Sequence, residues 1–419
     1  MIIKPGNRVN LEKCILYFVL ITAFFNDWMR YKDSDITLFR IVIAAGLLIC
    51  MVKKTRIFLK VFILFAVFFI LDLAQSIVFA YVNSYGISFS VFLFIEYAYF
   101  YFCIFAVICF TYTIYELDQK NFGREFFCLL KIIAVIYLLI MIFEKELAGY
   151  VHMLNVNDYG AYLTAIFPVF LYEIFKERKV GPIVFCVTTY ILLFTKDCKL
   201  ALLGVVLETG IIIILLMKNS KFQEIRFFSS CFLFGFIIAC ILVINSPLKI
   251  HEYELRGIIK EPIWRIMTGT PYELSGSSTS YRTNVIIMGI EWIKRTYMAG
   301  IGAGNAARLF RALIPDEKII PIWVEKGAIS LHNAWMEICV EFGLAGITLC
   351  ILIIINVLKI LRQKRWSKFQ IVAIAVGLSV WVWIMAPSGI LTSYFLICLF
   401  TGLVMVNKNQ NTEKEERKV

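Results

Sequence analysis

Long runs of apolar residues are the feature that most restricts the fold of this chain. Segments such as residues 57–82 and 200–217 contain few charges, and each is long enough for a helix to cross ~30 Å of hydrocarbon. About twelve such segments can be distinguished. They centre near residues 14–28, 36–52, 57–82, 87–115, 125–143, 161–175, 183–195, 200–217, 227–244, 335–358, 369–386 and 390–406. The sequence therefore predicts an all-α fold, a polytopic membrane bundle of about twelve transmembrane helices.

Composition excludes several other classes of protein. Hydrophobic residues make up 60% of the chain and charged residues 17%, too few charges to cover a soluble protein of this size. The net charge of +12 is explained by cytoplasmic loops, so we predict no nucleic-acid partner. The 12 cysteines mostly lie inside apolar runs, where cysteine behaves as a small hydrophobe. We predict no disulfide framework and no metal site.

The distribution of lysine and arginine predicts the orientation. The segments KKTR, ELDQKNFGR, KERK, KNSKFQEIR and LRQKRWSK, with the two tails, hold most of the 42 Lys and Arg. Positive residues in short loops mark the cytoplasmic side, so both termini are predicted to be cytoplasmic. The predicted organisation is residues 1–244 for transmembrane helices 1–9, 245–334 for a long extracytoplasmic loop, 335–406 for helices 10–12, and 407–419 for a cytoplasmic tail.

The long loop, residues 245–334, is predicted to be a folded helical cap on the outer face. Its segment TNVIIMGIEWIKRTYM places Val285, Ile286, Ile290 and Ile293 at helical spacing. Loops of this length are usually functional. Nucleotide substrates are cytoplasmic, so chemistry on the outer face requires an activated substrate delivered by the membrane. A polyprenyl-diphosphate-linked glycan is such a substrate, and it requires cations for its diphosphate and a base for the acceptor hydroxyl.

The loop contains candidates for both roles. Its arginines include Arg265 and Arg282, and the guanidinium fork suits phosphate, although such arginines are more often solvated or ion-paired. His332, one of 3 histidines, can accept a proton near neutral pH, or it can simply cap the helix that follows. Asn333 is a suitable N-cap for a helix beginning near Ala334. Glu337 lies one turn further on, where it would either orient site groups or face water.

The segment AGIGAGN, residues 299–305, allows two interpretations. It resembles a phosphate-binding loop, but no strand precedes it. The favoured interpretation is a tight turn that ends the preceding helix, with glycines at positive φ. Backbone N–H groups exposed in such a turn are able to hold an anion.

Charged residues also occur in or beside the predicted spans. Lys196 and Lys199 lie in a very short outer turn, where they either act on substrate or extend to the interface. Asp72 and Glu96 lie deeper, in the third and fourth spans, and we expect them to pair with basic groups in the bundle.

Four stretches together resemble the family of bacterial O-antigen ligases and O-antigen or capsule polysaccharide polymerases. They are NVNDYGAYLTAIFPVFL (155–171), FTKDCKLALLG (194–204), YRTNVIIMGIEWIKRTYMAGIGAGN (281–305) and LHNAWMEICVEFGLAGI (331–347). The resemblance lies in their order, spacing and placement on one membrane face. The second stretch departs from the family, which usually has a Ser-Arg pair where this chain has Cys198 and Lys199.

The resemblance implies a glycosyltransferase of the C-type membrane architecture in the bacterial cytoplasmic (inner) membrane. It implies metal-independent, inverting transfer of a glycan from undecaprenyl diphosphate, with no cofactor. Carried onto this sequence, His332 becomes the catalytic base, and Arg282, Lys199 and Arg265 become candidate diphosphate ligands. Asn333, Asn157, Asp158 and Glu337 become supporting residues. The implied partners are the lipid-linked glycan, the bilayer, a chain-length regulator and a flippase.

Four interpretations remain open at this point. A polymerase uses a second lipid-linked glycan as acceptor, and this interpretation is favoured because the chain has no extra acceptor-binding domain. A ligase transfers the glycan to lipid A–core or another acceptor. A transporter of lipid-linked glycans has a similar number of spans, but the chain shows no matching halves with paired broken helices. A non-enzymatic assembly partner is the remaining interpretation.

Overall fold

The structure is a computed structural model. It describes residues 11–25, 37–84, 86–147, 156–177, 179–196, 198–219, 249–250, 253–272, 278–306, 308–309, 333–363, 366–383 and 394–416. The candidate base His332, the other histidines, and the predicted span at 227–244 lie outside these residues.

The described residues are almost entirely α-helical. The helices are α1 (Leu11–Phe24), α2 (Leu38–Lys53), α3 (Thr55–Val82), α4 (Val91–Leu117), α5 (Gln119–Ile142), α6 (Glu144–Leu147), α7 (Val156–Phe175), α8 (Gly181–Thr195), α9 (Lys199–Asn219), α10 (Leu255–Thr268), α11 (Ser278–Arg295), α12 (Ala334–Phe342), α13 (Leu344–Leu361), α14 (Lys368–Trp383) and α15 (Tyr394–Glu416). Two short strands, β1 (Lys249–Ile250) and β2 (Tyr253–Glu254), pair antiparallel.

Five of the described helices, α3, α4, α5, α9 and α13, are long and apolar enough to cross a membrane. Shorter apolar helices span Gly181–Thr195, Lys368–Trp383 and Leu396–Val406. The predicted fold class, a polytopic helical bundle, is confirmed. The total of about twelve spans stays a prediction, because one of them lies outside the described residues.

The described chain divides into two compact units. The first comprises residues 1–69, 98–166 and 391–419, and the second comprises residues 70–97 and 167–390. In the first unit, glycines allow close helix packing: Gly46 of α2 lies against the ring of Phe110, and Gly402 of α15 lies against the ring of Phe126. A side chain at either glycine would overlap the aromatic ring, which is why small residues are favoured where membrane helices approach closely.

Ion pairs within each unit join segments that were predicted to be cytoplasmic. In the first unit, Lys13 Nζ lies 2.7 Å from Asp118 Oδ2, which links the start of α1 to the α4–α5 junction. In the second unit, Lys368 Nζ lies 3.2 Å from Glu173 Oε1 and 2.7 Å from Glu177 Oε1, which links the start of α14 to the end of α7. Within each unit, the paired segments therefore share one end of the helices.

The second unit differs from prediction at residues 335–358, which form two helices instead of one. Helix α12 ends at Phe342, and α13 begins at Leu344. Gly343 between them has φ 53°, and a Cβ there would overlap the backbone of residues 298–300. The N–H of Leu344 donates to the carbonyl of Met298 at 2.7 Å. The helix breaks because another segment of backbone occupies the space beside it.

The long loop was predicted to form a cap on the outer face, but part of it packs against the helices of the bundle. Residues 299–305 contact Asp72, Gln75 and Ser76 of α3. Asp72 lies about ten residues before the end of α3, or about 15 Å along the helix axis. Helix α11 packs on α12, with Gly289 against Met336. The loop therefore packs, in part, along a membrane-spanning helix.

Candidate functional site

The glycine-rich segment after α11 forms the predicted turn. Gly300, Gly302 and Gly304 have φ values of 78°, 81° and 75°, in the region that favours glycine. The predicted turn with glycines at positive φ is confirmed, but it does not end the preceding helix, because α11 ends earlier, at Arg295, and is capped by the N–H groups of Tyr297 and Met298.

The backbone N–H groups of this turn are bound by carboxylates of the chain itself. Ala303 N donates to Asp72 Oδ1 at 2.7 Å, and Gly304 N donates to Glu341 Oε1 at 2.7 Å. Ala306 N donates to the same Glu341 oxygen at 3.4 Å. The segment has the N–H geometry of an anion-binding nest, and its acceptors are carboxyl oxygens of Asp72 and Glu341. We call residues 299–306, with these two carboxylates, the carboxylate-bound turn.

Further hydrogen bonds hold this turn in place. The N–H groups of Ile301 and Gly302 both donate to the backbone carbonyl of Glu341 at 3.0 Å. Gln75 Nε2 donates to the carbonyl of Ala299 at 2.8 Å. The expectation that Asp72 pairs with a basic group is wrong for its Oδ1 atom, which accepts from the N–H of Ala303. Non-helical backbone at membrane depth requires such partners because water is absent there.

Arg282 lies in the first half of α11, and one N–H group of its guanidinium lacks a hydrogen-bond acceptor among the described residues. Its Nε atom is buried and has no hydrogen-bond partner among the described residues. Burial lowers the pKa of the guanidinium, because the low-dielectric surroundings disfavour the charged form. A buried guanidinium N–H without an acceptor is costly unless a ligand supplies one. Arg282 is therefore suited to bind an anion.

Asn333 is the N-cap of α12, as predicted. Its side-chain oxygen accepts from Met336 N at 3.2 Å. His332 is the preceding residue in the sequence and lies outside the described residues. The cap at Asn333 therefore fixes where α12 begins.

Glu337 lies in the first turn of α12 and does not simply face water. Its Oε2 atom is buried and has no hydrogen-bond partner among the described residues. Burial raises the pKa of Glu337 to about 7. Burial and the neighbouring charge of Glu337 raise the pKa of Glu341 well above its ordinary value. The helix after His332 thus carries two buried carboxyl groups one turn apart.

Tyr281 connects Arg282 with Glu337. It belongs to the apolar core of the second unit, together with Val340 of α12. Burial raises the pKa of Tyr281 to about 12, the charge of Arg282 lowers it, and the charge of Glu337 raises it further. Tyr281 is therefore within electrostatic range of both groups. The packing of α11 on α12 therefore brings Arg282 and Glu337 within electrostatic range of the same tyrosine.

The other predicted site residues have different surroundings. Arg265 is already engaged, since its Nε donates to Glu261 at 3.0 Å, its Nη1 donates to the carbonyl of Pro271 at 3.0 Å, and its guanidinium lies 4.0 Å from the centre of the Tyr272 ring. Lys199 is the first residue of α9 and is half-buried. Asn157 and Asp158 occupy the first turn of α7, in the first unit.

Sequence reasoning missed one buried polar cluster. Glu208 of α9 is fully buried, and its Oε1 accepts from Ser379 Oγ at 2.6 Å. Ser379 Oγ accepts in turn from Trp383 Nε1 at 2.9 Å. The signal for this cluster was an acidic residue inside an apolar span, which is rare and usually has a defined partner. Among the described residues, no group of three or more His, Cys, Asp or Glu is placed to hold a metal ion.

These features define a class: a polytopic helical membrane protein whose long loop is folded and packed into the bundle. Residues 184–351 match the family model described as O-antigen ligase. Over this part of its length, the chain is similar to the O-antigen ligase family. The matched region contains Lys199, Arg265, Arg282, His332 and Glu337. A comparison with curated proteins gave no match.

Proposed function

We propose that this protein is a membrane glycosyltransferase that polymerises undecaprenyl-diphosphate-linked oligosaccharide repeat units. The product is an O-antigen, capsular or other exported polysaccharide. The observation that carries the proposal is the buried, partly unpartnered guanidinium of Arg282 on a helix packed against α12, within the region that matches the O-antigen ligase family.

Arg282 binds the diphosphate of the donor. Its Nε–H has no acceptor among the described residues, and a phosphate oxygen supplies one. Charge-assisted hydrogen bonds from arginine to phosphate are short and strong. They stabilise the negative charge that grows on the diphosphate as it leaves. Lys199 contributes a second positive charge without the fork of an arginine.

His332 acts as the base. A neutral ring nitrogen accepts the proton of an acceptor hydroxyl, and the oxygen attacks the anomeric carbon from the face opposite the diphosphate. The bond between that carbon and the diphosphate oxygen breaks, and undecaprenyl diphosphate leaves with the electron pair. The configuration at the anomeric carbon is therefore inverted. No step requires a metal or a cofactor.

The remaining predicted residues support this arrangement. Asn333 fixes the start of α12. Glu337, whose Oε2 atom is buried in the first turn of the same helix, orients polar groups of the site. Asn157 and Asp158, in the first turn of α7, stay candidate supporting residues. Arg265 has no place in the proposed diphosphate site, because its guanidinium is used by neighbouring residues.

The protein acts in the bacterial cytoplasmic membrane, with both termini in the cytoplasm and the site on the outer face. The distribution of lysine and arginine in the sequence supports this orientation. A flippase delivers the lipid-linked repeat unit to the outer leaflet, and a chain-length regulator limits the polymer.

The test uses purified protein in nanodiscs with the undecaprenyl-diphosphate-linked repeat unit of the host. The wild type is expected to produce a ladder of lipid-linked oligomers. His332→Ala is expected to lower the rate about 10²- to 10⁴-fold, and Arg282→Gln about 10²- to 10³-fold. Arg265→Gln is the matched control, an arginine from the same loop, and is expected to retain activity. Full activity of a folded His332→Ala protein would contradict the proposed mechanism.

The description of the matched family favours a second candidate, an O-antigen ligase. A ligase transfers the same donor glycan to lipid A–core or to another acceptor. With lipid A–core added to the same assay, a ligase yields a single larger glycolipid and no ladder. Movement of lipid-linked glycan across the bilayer without a new glycosidic bond would identify a transporter and overturn both enzymatic proposals.

A further inference from the structure

The helical pair α10–α11 and the residues that follow it expose several large apolar side chains. Ile263, Trp264 and Met267 lie on one face of α10, where Trp264 is 58% exposed and Met267 82% exposed. Tyr297 and Met298, which follow α11, are 93% and 49% exposed. We call these five residues the apolar rim. Large apolar residues so exposed mark an interaction surface when they are contiguous.

The backbone at the end of α11 indicates that the position of Tyr297 matters. Met298 N donates to the carbonyl of Ile293 at 2.9 Å, and Tyr297 N donates to the carbonyl of Lys294 at 3.0 Å. This is the Schellman pattern, in which the residue at the Tyr297 position is usually glycine. Tyr297 adopts φ 51° there, and Met298 φ 62°. A left-handed conformation costs about 1–2 kcal/mol for a residue with a side chain.

The apolar rim is continuous with a surface that faces lipid. The carbonyl of Met298 accepts from the N–H of Leu344 at 2.7 Å, and Leu344 is the first residue of the membrane-spanning helix α13. Leu344 is itself exposed, as are Leu349 and Ile351 further along α13. Tyr297 and Met298 therefore lie at the level where α13 enters the bilayer.

The chemistry of the neighbouring groove suits phospholipid. The groove between α10 and α11 has a volume of about 510 Å³ and is lined by Met267, Met288, Ile290, Lys294 and the ion pair of Arg295 with Glu291, among others. Tryptophan and tyrosine prefer the membrane–water interface. A basic side chain such as Lys294 contributes about 1 kcal/mol near anionic headgroups. Apolar and basic groups thus line the same groove.

We propose that the apolar rim is a bilayer-binding surface, so that the α10–α11 pair lies on the lipid–water interface beside α13. Trp264 and Tyr297 anchor at the level of the headgroups, Met267 and Ile263 reach the acyl chains, and Lys294 contacts lipid phosphate. The exposed aromatic ring at Tyr297 offsets the cost of its left-handed backbone by burying apolar area in the interface.

The test is photocrosslinking of the full chain in nanodiscs of phosphatidylethanolamine and phosphatidylglycerol. The photoreactive amino acid p-benzoylphenylalanine replaces Trp264 or Tyr297 in separate proteins, and lipid adducts are identified by mass spectrometry. Glu261 is the negative control, because it is an exposed charged residue of α10 whose carboxylate is ion-paired with Arg265. Leu349, on the exposed side of α13, is the positive control.

We expect lipid adducts at positions 264 and 297, and at the positive control 349. We expect none at position 261. Adducts at 349 alone would overturn the proposal. Crosslinks from 264 or 297 to a second copy of the chain would also overturn it and identify an interface between copies. As an independent measurement, brominated lipids are expected to quench less of the tryptophan fluorescence in Trp264→Phe than in the wild type, and equal quenching of both proteins counts against the proposal.

Discussion

Replacement of Asp72 by alanine tests the carboxylate-bound turn directly. Asp72 Oδ1 accepts from the buried N–H of Ala303 at 2.7 Å, and Asp72→Ala leaves that N–H without an acceptor. An unsatisfied buried donor costs about 1–3 kcal/mol. Because about 1.4 kcal/mol corresponds to a factor of ten, the turn is expected to open about 5- to 140-fold more often in the variant.

Hydrogen–deuterium exchange of the protein in nanodiscs measures this opening. Peptides that contain residues 299–306 are expected to exchange faster in Asp72→Ala by about that factor, while peptides from α14 keep their wild-type rates. Asp72→Asn is the matched control, since its amide oxygen still accepts from Ala303 N and exchange stays close to wild type. If an Asp72→Ala protein that inserts normally showed unchanged exchange at residues 299–306, the reasoning would be refuted.

Three further predictions concern stability in detergent, measured by thermal melting. Gly304→Ala places a Cβ against the ring of Tyr97 in α4 and is expected to destabilise the protein by about 1–3 kcal/mol beyond backbone strain. Gly86→Ala, at a similar φ but in open space, is the control and costs only the strain. Equal losses of stability in the two variants would contradict this prediction. Burial raises the pKa of Glu337 from 4.5 to about 7, so the native state loses stability as the pH rises from 4.5 to 7. Glu337→Gln is expected to flatten the fall in melting temperature between pH 5 and 8. Melting temperatures of the variant and the wild type that fall in parallel would contradict this prediction. Ser379→Ala removes the hydroxyl that donates to buried Glu208 and is expected to lower the free energy of unfolding by about 0.6–1.7 kcal/mol. An unchanged melting temperature would contradict this prediction.

Local patterns in the sequence predicted the local parts of the structure. Asn333 before an apolar helical run predicted an N-cap, and the N-cap depends only on residues 333–336. The spacing of Gly300, Gly302 and Gly304 predicted a turn, because positive φ is a property of each residue and its neighbours. Helix type followed from apolar runs of membrane-spanning length.

Contacts between distant residues were not predictable in this way. The break at Gly343 interrupts an apolar run whose pattern predicts a single helix. The helix breaks there because the backbone of residues 298–300 occupies the space that a Cβ at position 343 would need. Asp72 was expected to find a cation, and its Oδ1 atom binds a backbone N–H that lies 231 residues later in the chain. The acidic character of Asp72 inside an apolar span indicated that it requires a partner, but not which partner. Side chains with unfilled hydrogen-bonding capacity, such as Arg282 Nε, become evident only from the packed structure.

The sequence separation between Asp72 and Ala303 sets how long Asp72 waits for its hydrogen-bond donor during biosynthesis. Ribosomes add about 5–20 residues per second, so the 231 residues between them take roughly 12–46 s to synthesise. Helix α3 therefore enters the membrane with its carboxyl group still without the N–H that will bind it. An aspartate at mid-span disfavours insertion by about 2.5–3.5 kcal/mol, and the mean hydropathy of 2.6 in α3 is what offsets that cost. The apolar residues of α3 thus hold the helix in place until the turn arrives.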